Sequence, residues 1–181
     1  MNWPYELGAS ASTLQKAFDC VVAQFQKPLA QYLYRFVFRQ DAALDLAQET
    51  FVKAFQNLHR YDSTRPFSTW LFSIASNLAK DHLRKISRVT EVPLNESIEE
   101  DTKYRQPDRQ LETSELGDAI EEAIGALPAL YREPLLLRHT AGLTVEQTAD
   151  VLGTSVSAVK VRLFRARTKL QELLGKEWLP Q

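Results

Sequence analysis

From Leu44 the apolar positions fall at Leu44, Ala47, Phe51, Ala54, Phe55 and Leu58. Steps of three and four residues put such positions on one face of an α-helix. A second series runs Trp70, Leu71, Ile74, Ala75 and Leu78, and a third runs Val156, Val159, Leu163, Ala166, Leu170 and Leu173. No run alternates with a period of two, so the pattern predicts an all-α protein. From about Ser87 to Glu112 the periodicity lapses into a stretch with Pro93, Pro107, many Glu and Asp and few large apolar residues. Such a composition buries too little surface to offset chain entropy. The expectation is therefore two small helical domains, residues 14–88 and 113–175, joined by a flexible acidic linker over 89–112.

Turn and cap residues are densest in the second domain. Pro128 stands where a helix begins, and that helix runs through Leu135, Leu136 and Leu137 to a break at Gly142. Pro134 lies inside it, removes one backbone bond and should bend it. Thr144 and Gln147 have capping-box spacing ahead of a short helix, Val145 to Leu152, which Gly153 ends. Thr154 and Ser155 then lead into a long third helix. A short helix, a glycine turn and a second amphipathic helix predict a helix-turn-helix. Ala149 and Gly153 are small enough for the two helices to cross closely, with Val151, Leu152, Val159 and Leu163 filling the seam. Ser157, Ala158, Lys160, Val161, Arg162 and Arg165 then project outward. A helix of this kind fits the major groove of DNA. Arg162 and Arg165, one turn apart, are the candidates for purine contacts. Lys160, Arg167 and Lys169 suit phosphates, which position a protein without reading sequence. A lone basic helix is more often a solvated face; the glycine turn, the capping box and the local charge tip the balance toward DNA.

The first domain offers a second cationic surface. Asn77, Lys80, Arg84 and Arg88 recur at three- and four-residue steps and line one helix face. Before them lies the loop Tyr61-Asp62-Ser63-Thr64-Arg65-Pro66-Phe67. Aromatic and polar groups beside a basic stripe suit single-stranded DNA, whose bases stack on rings while cations follow the backbone, so Tyr61, Arg65 and Phe67 join the candidates. Trp70 shares a stripe with Ile74 and reads as core. Asp45, Gln48, Glu49 and Lys53 stand off the earlier stripe, and Asp45, Glu49 and Lys53 follow at i+4 steps. That spacing alone describes a solvated helix face.

Charge sharpens this picture. The net charge over 181 residues is −1, but it is segregated. Residues 77–88 hold four bases against Asp81, and residues 155–176 hold six against Glu172. Residues 89–112 hold seven acids against three bases. Screening over about 10 Å lets local basic patches attract phosphates whatever the total. No stretch is apolar enough for membrane insertion, and Met1 to Ser12 has no secretory-signal pattern, so the expected location is the cytoplasm. The single Cys20 cannot form an internal disulfide. His59, His82, His139 and Cys20 lack metal-ligand spacing, and neither a phosphate loop nor a nucleophile elbow occurs. Neither enzymatic activity nor a cofactor is expected.

The run Asp45-Leu46-Ala47-Gln48-Glu49-Thr50-Phe51, followed by the run from Phe67-Ser68-Thr69-Trp70 to Asn77-Leu78-Ala79-Lys80-Asp81, resembles region two of extracytoplasmic-function sigma factors. Leu127-Pro128-Ala129-Leu130-Tyr131-Arg132-Glu133, Gly142-Leu143-Thr144, Leu152-Gly153-Thr154-Ser155 and Val159 to Arg167 resemble their region four. The motifs stand in the family's order over about Leu14 to Leu174. The resemblance implies a sigma factor that directs core RNA polymerase to promoters in a stress, envelope or metal response, under an anti-sigma factor. Asp45, Gln48, Glu49 and Lys53 would dock on the clamp helices of the polymerase largest subunit. Tyr61, Arg65, Phe67, Asn77, Lys80, Arg84 and Arg88 would take the minus-ten element. The helix bearing Ser157, Ala158, Lys160, Arg162, Arg165, Arg167 and Lys169 would take the minus-thirty-five element, with the polymerase flap as a further contact. The acidic linker would thread the polymerase channels in place of RNA. A free-standing helix-turn-helix regulator is the competing reading; it accounts for Thr144 to Leu174 but not for the first domain.

Overall fold

The computed structural model describes residues 11–89 and 115–175, so the linker expected over 89–112 lies almost wholly outside the described residues. Seven α-helices carry the described chain: α1 Ala11–Val37, α2 Gln40–Gln56, α3 Phe67–Val89, α4 Glu115–Ala126, α5 Ala129–His139, α6 Val145–Leu152 and α7 Val156–Leu174. A short 3-10 turn, Leu58–Arg60, follows α2. No strand occurs among the described residues, which agrees with the period-two test. The apolar stripes described above pass over α1 and α4. In α1 the helix continues through Pro28, whose ring denies one carbonyl its partner, and it is held by packing against α2, α3, α4 and α5.

The helix signals of the second domain act as expected. Thr144 accepts a hydrogen bond from the Gln147 backbone at 3.1 Å, while the Gln147 side chain accepts from the Thr144 backbone at 2.8 Å. Gly153 ends α6 in the left-handed region at φ 59, and Ser155 caps α7 through the Ala158 N–H at 3.2 Å. Gly153 differs from expectation in its reason. It is exposed, and a Cβ built there would meet nothing within 4 Å. The residue is set by its backbone conformation rather than by close helix crossing. Ala149, buried in the seam with Val159 and Leu163, does serve the crossing.

The stripe in α2 also needs correction. Leu44 and Phe55 are 51% and 43% exposed, and the buried face is instead Ala42, Ala43, Leu46, Ala47, Thr50 and Ala54. Thr50 can be fully buried because its hydroxyl donates to the Leu46 carbonyl at 2.6 Å. Small residues let α2 lie close on its neighbours, and the large apolar Leu44, Val52 and Phe55 are left outside.

The two helical parts share a core. One cluster joins Leu29, Tyr32, Leu33, Phe36 and Phe38 of the first part to Ile124, Leu127, Leu135, Leu136 and Leu137 of the second. α6 packs on α3, and α1 packs on α4 and α5. Phe38, between α1 and α2, takes the left-handed φ of 54. Its ring faces Gly125, where a Cβ would come within 3.3 Å, and the Arg132 guanidinium lies 5.5 Å from the ring centroid. A smaller cluster, Phe18, Val21, Ala54, Leu58 and Leu71, belongs to the first part alone.

Candidate nucleic-acid interface

α7 presents its surface on two flanks. Val159, Leu163 and Ala166 are buried against α5 and α6. Ser157, Ala158, Arg162 and Arg165 come together around a shallow groove floored by Leu130, Tyr131 and Val161. Arg165 is exposed, and its Nη1 donates to the Tyr131 hydroxyl at 3.3 Å. Lys169 stands seven residues after Arg162, hence on the same face two turns on. Lys160, Phe164 and Arg167, at steps of four and three, form the other flank. Arg167 lines a different groove with Arg35, His139 and Thr140. The structure therefore does not bring Lys160 and Arg167 together with Arg162 and Arg165. Burial first, and then the charges of Arg167 and Arg138, hold the His139 imidazole below its usual pKa. The sequence reading missed Phe164, which is 71% exposed on α7, although its place outside the Val159–Leu163–Ala166 stripe was a usable sign.

The loop before α3 is folded upon itself. The Tyr61 hydroxyl donates to the Arg65 carbonyl at 2.6 Å, and Asp62 Oδ1 accepts from the Thr64 hydroxyl at 2.7 Å and the Thr64 N–H at 3.0 Å. Those bonds from Thr64 hold the Asp62 carboxyl below its ordinary pKa. Tyr61, Phe67 and Trp70 form an aromatic cluster with centroid separations of 5.2–5.4 Å. All three are half-buried and rest on the smaller core cluster. Trp70 is thus shared between core and surface. It sits seven residues before Asn77, so α3 carries it on the same face as the basic stripe. Along that face Asn77 and Arg84 are exposed, Arg84 pairs with Asp81, and the Arg88 side chain lies outside the described residues. Lys80 does not stand free: its Nζ meets Glu133 Oε1 on α5 at 3.0 Å.

On α2, Asp45, Gln48, Glu49 and Lys53 are all exposed, and Lys53 pairs with Glu49 at 3.1 Å. Leu44, Val52 and Phe55 are interleaved with them, Val52 at 53% exposure. A face of alternating acids and large apolar groups is costly to leave in water and suits a protein partner. Here the sequence reading saw only the polar half.

Among the described residues no group of three or more His, Cys, Asp and Glu is placed to hold a metal ion, and no helix is long and apolar enough to cross a membrane. What the fold does offer is an aromatic and basic helix in one part and a capped helix-turn-helix in the other, the layout of a promoter-binding initiation factor. Comparison with known families agrees. Sigma-70 region 2 matches residues 21–89, and Sigma-70, region 4 matches residues 117–170. The chain is 32% identical to RNA polymerase sigma-H factor of Pseudomonas aeruginosa, over 88% of this chain and 87% of that one. It is also 32% identical to ECF RNA polymerase sigma factor SigW of Bacillus subtilis, over 88% and 90%. Among solved structures it is similar to CnrH in complex with the cytosolic domain of CnrY, with TM-score 0.69, 32% identity and 90% of each chain covered. RpoE in complex with the anti-sigma factor NepR from Bartonella quintana gives TM-score 0.71 at 26% identity, covering 88% and 97%. The chain belongs to the extracytoplasmic-function sigma factors of the sigma-70 family.

Proposed function

We propose that the three exposed faces divide the work of promoter recognition. The α2 face, with Asp45, Gln48, Glu49, Lys53 and the apolar Leu44, Val52 and Phe55, docks on the clamp helices of core RNA polymerase. The loop carrying Tyr61, Arg65 and Phe67, with Trp70, Asn77, Lys80 and Arg84 along α3, takes the unpaired strand of the minus-ten element. Arg88 is assigned with them from its position in α3. Ser157, Ala158, Arg162 and Arg165 read the minus-thirty-five element, Lys169 holds phosphate on that flank, and Lys160 and Arg167 meet the backbone from the other. The aromatic cluster aligned with the α3 stripe carries this reading most directly, because a helix-turn-helix regulator has no use for a stacking platform on a separate helix.

Control by an anti-sigma factor is supported by the similarity to RpoE in its complex with the anti-sigma factor NepR. A role in a stress or envelope response, action in the cytoplasm without enzymatic activity, and residues 89–112 threading the polymerase channels complete the proposal. The test is transcription by purified core polymerase on fragmented genomic DNA, with start sites mapped. Addition of the chain should create new start sites that vanish with Asn77→Ala plus Arg162→Ala. An unchanged set of start sites would refute the assignment.

A further inference from the structure

The side chain at the centre of the outward α7 face has no hydrogen-bonding group at all. Val161 is 50% exposed and belongs to neither apolar cluster. Ser157 stands four residues before it and Arg165 four residues after it, so all three share one face. The groove in front of Val161 is bordered by Ala158, Arg162 and Arg165, and Leu130 of α5 reaches into it. Leu130 is itself 37% exposed and outside both clusters. No acidic side chain among the described residues lines this groove.

The fold does not ask for valine here. A β-branched side chain loses rotamer freedom against the preceding helical turn, so at an exposed position valine weakens a helix that alanine would favour. The same stiffness holds its two methyl groups in a fixed direction, which is useful only if something meets them. The surroundings indicate what. Arg165 is steadied by the Tyr131 hydroxyl at 3.3 Å, Arg162 is the next residue along, and the Ser157 hydroxyl lies 3.0 Å from that of Ser155. An apolar centre inside a rim of guanidinium and hydroxyl groups complements the major-groove edge of a base pair that carries a methyl group. There thymine shows its O4 and a C5 methyl, whereas cytosine shows an N4 amine that valine cannot satisfy. A methyl on C5 of cytosine stands in the same place as that of thymine. Val161 and Arg165 are four residues apart, about 6 Å along the helix, or roughly two base pairs along DNA.

We infer that Val161, with Leu130 in the same groove, is a methyl-reading site. It takes the C5 methyl of a pyrimidine, thymine or 5-methylcytosine, roughly two base pairs from the purine that Arg165 contacts. Promoters with cytosine at that position are therefore bound more tightly when the cytosine is methylated. The inference rests on the assignment of α7 to the minus-thirty-five element. Burying one methyl group between Val161 and its neighbours is worth about threefold in affinity.

The experiment uses the full chain bound to core RNA polymerase. A duplex is selected from a library randomised over the minus-thirty-five element, then remade with each thymine of either strand replaced in turn by deoxyuridine, which removes only the methyl. One of these replacements should weaken binding about threefold. With cytosine placed at that position, its C5-methylated form should bind about threefold more tightly than the plain base. Val161→Ala suits an exposed helical site and leaves the core intact, and it should erase both differences. The proposal is overturned if no thymine methyl matters, if methylated and plain cytosine bind alike, or if Val161→Ala keeps the discrimination. It is also overturned if Val161→Ala weakens binding while the intact holoenzyme treats thymine and uracil alike, since the apolar patch then serves a protein contact. Arg162→Ala separates the two readings. No loss on the selected duplex, with Arg165→Ala equally silent, sinks the α7 assignment itself. A clear loss there, with every deoxyuridine replacement silent, sinks only the methyl-reading site.

Discussion

Single side chains on α7 differ in what they do because their neighbours differ. Arg165 leans on the Tyr131 hydroxyl, whereas Arg162 lines the same groove with no hydrogen bond or ion pair of its own among those described. Replacing either by Ala should cost about 1–3 kcal/mol at the minus-thirty-five element if the guanidinium bridges a purine. The check is affinity for a promoter library with each base pair changed in turn. A loss that falls evenly over every sequence would mean phosphate contact instead. Tyr131→Phe keeps the ring in the core and removes only the bond to Arg165. It should weaken discrimination at the base pair Arg165 reads while leaving affinity for unrelated DNA unchanged. Equal losses for both kinds of DNA would show that the hydroxyl has only a structural part.

At the scale of the element, α2 and α6 show opposite uses of a helix. In α6 both halves of the capping box are made, which ties down backbone groups that eight residues of helix could not otherwise satisfy. Thr144→Ala should lower stability by about 1 kcal/mol and loosen the turn that aims α7. Denaturant unfolding measures the first effect, and amide exchange in α6 the second. In α2 the exposed Leu44 and Val52 contribute little to the core. Leu44→Glu with Val52→Glu should therefore change stability by no more than about 1 kcal/mol, two surface substitutions of about 0.5 kcal/mol each. Binding to core polymerase should fall by tenfold or more, about 1.4 kcal/mol. A double variant that still competes normally for core polymerase would remove α2 from the docking surface.

For the whole molecule, two histidines report on compactness. Burial is the first cause lowering the pKa of His139 and of His82; Arg167 and Arg138 add to it for His139, and Arg39 and Lys85 add to it for His82 while Asp41 opposes them. A histidine whose pKa is lower folded than unfolded binds fewer protons in the folded chain. Stability is therefore unaffected by these groups well above the ordinary histidine pKa. It declines as pH falls through that value toward the lowered ones. Unfolding midpoints should drop between pH 8 and pH 5.5, and His139→Gln should shrink the drop. An identical decline in the variant would assign the acid sensitivity elsewhere. Because His139 lines the groove shared by α1, α5 and α7 with Arg35, the same substitution also probes the contact between the two parts.

The sequence by itself determined the helical class, most of the second and third apolar stripes (Leu173, at the end of the third, is 52% exposed), and the capped turn before α7. Each of these depends on residues close together in the chain: Thr144 with Gln147, Gly153 at the end of its helix, Val159 with Leu163 and Ala166. It also placed Arg162 and Arg165 on one side of one helix, since spacing alone fixes that. The inner face of α2 escaped it. A run of alanines and a threonine bonded to its own backbone can be the buried side only when another helix lies close enough, and periodicity weights large apolar residues instead. The half-surface position of Trp70 and the division of the α7 cations into two flanks escaped it for a related reason, because each depends on which neighbour covers the helix. The pairing of Lys80 with Glu133 across the two parts was decided by tertiary structure alone. Those residues lie far apart in sequence, and a carboxylate and an amine that meet only when two helices pack leave no mark on the local pattern of either.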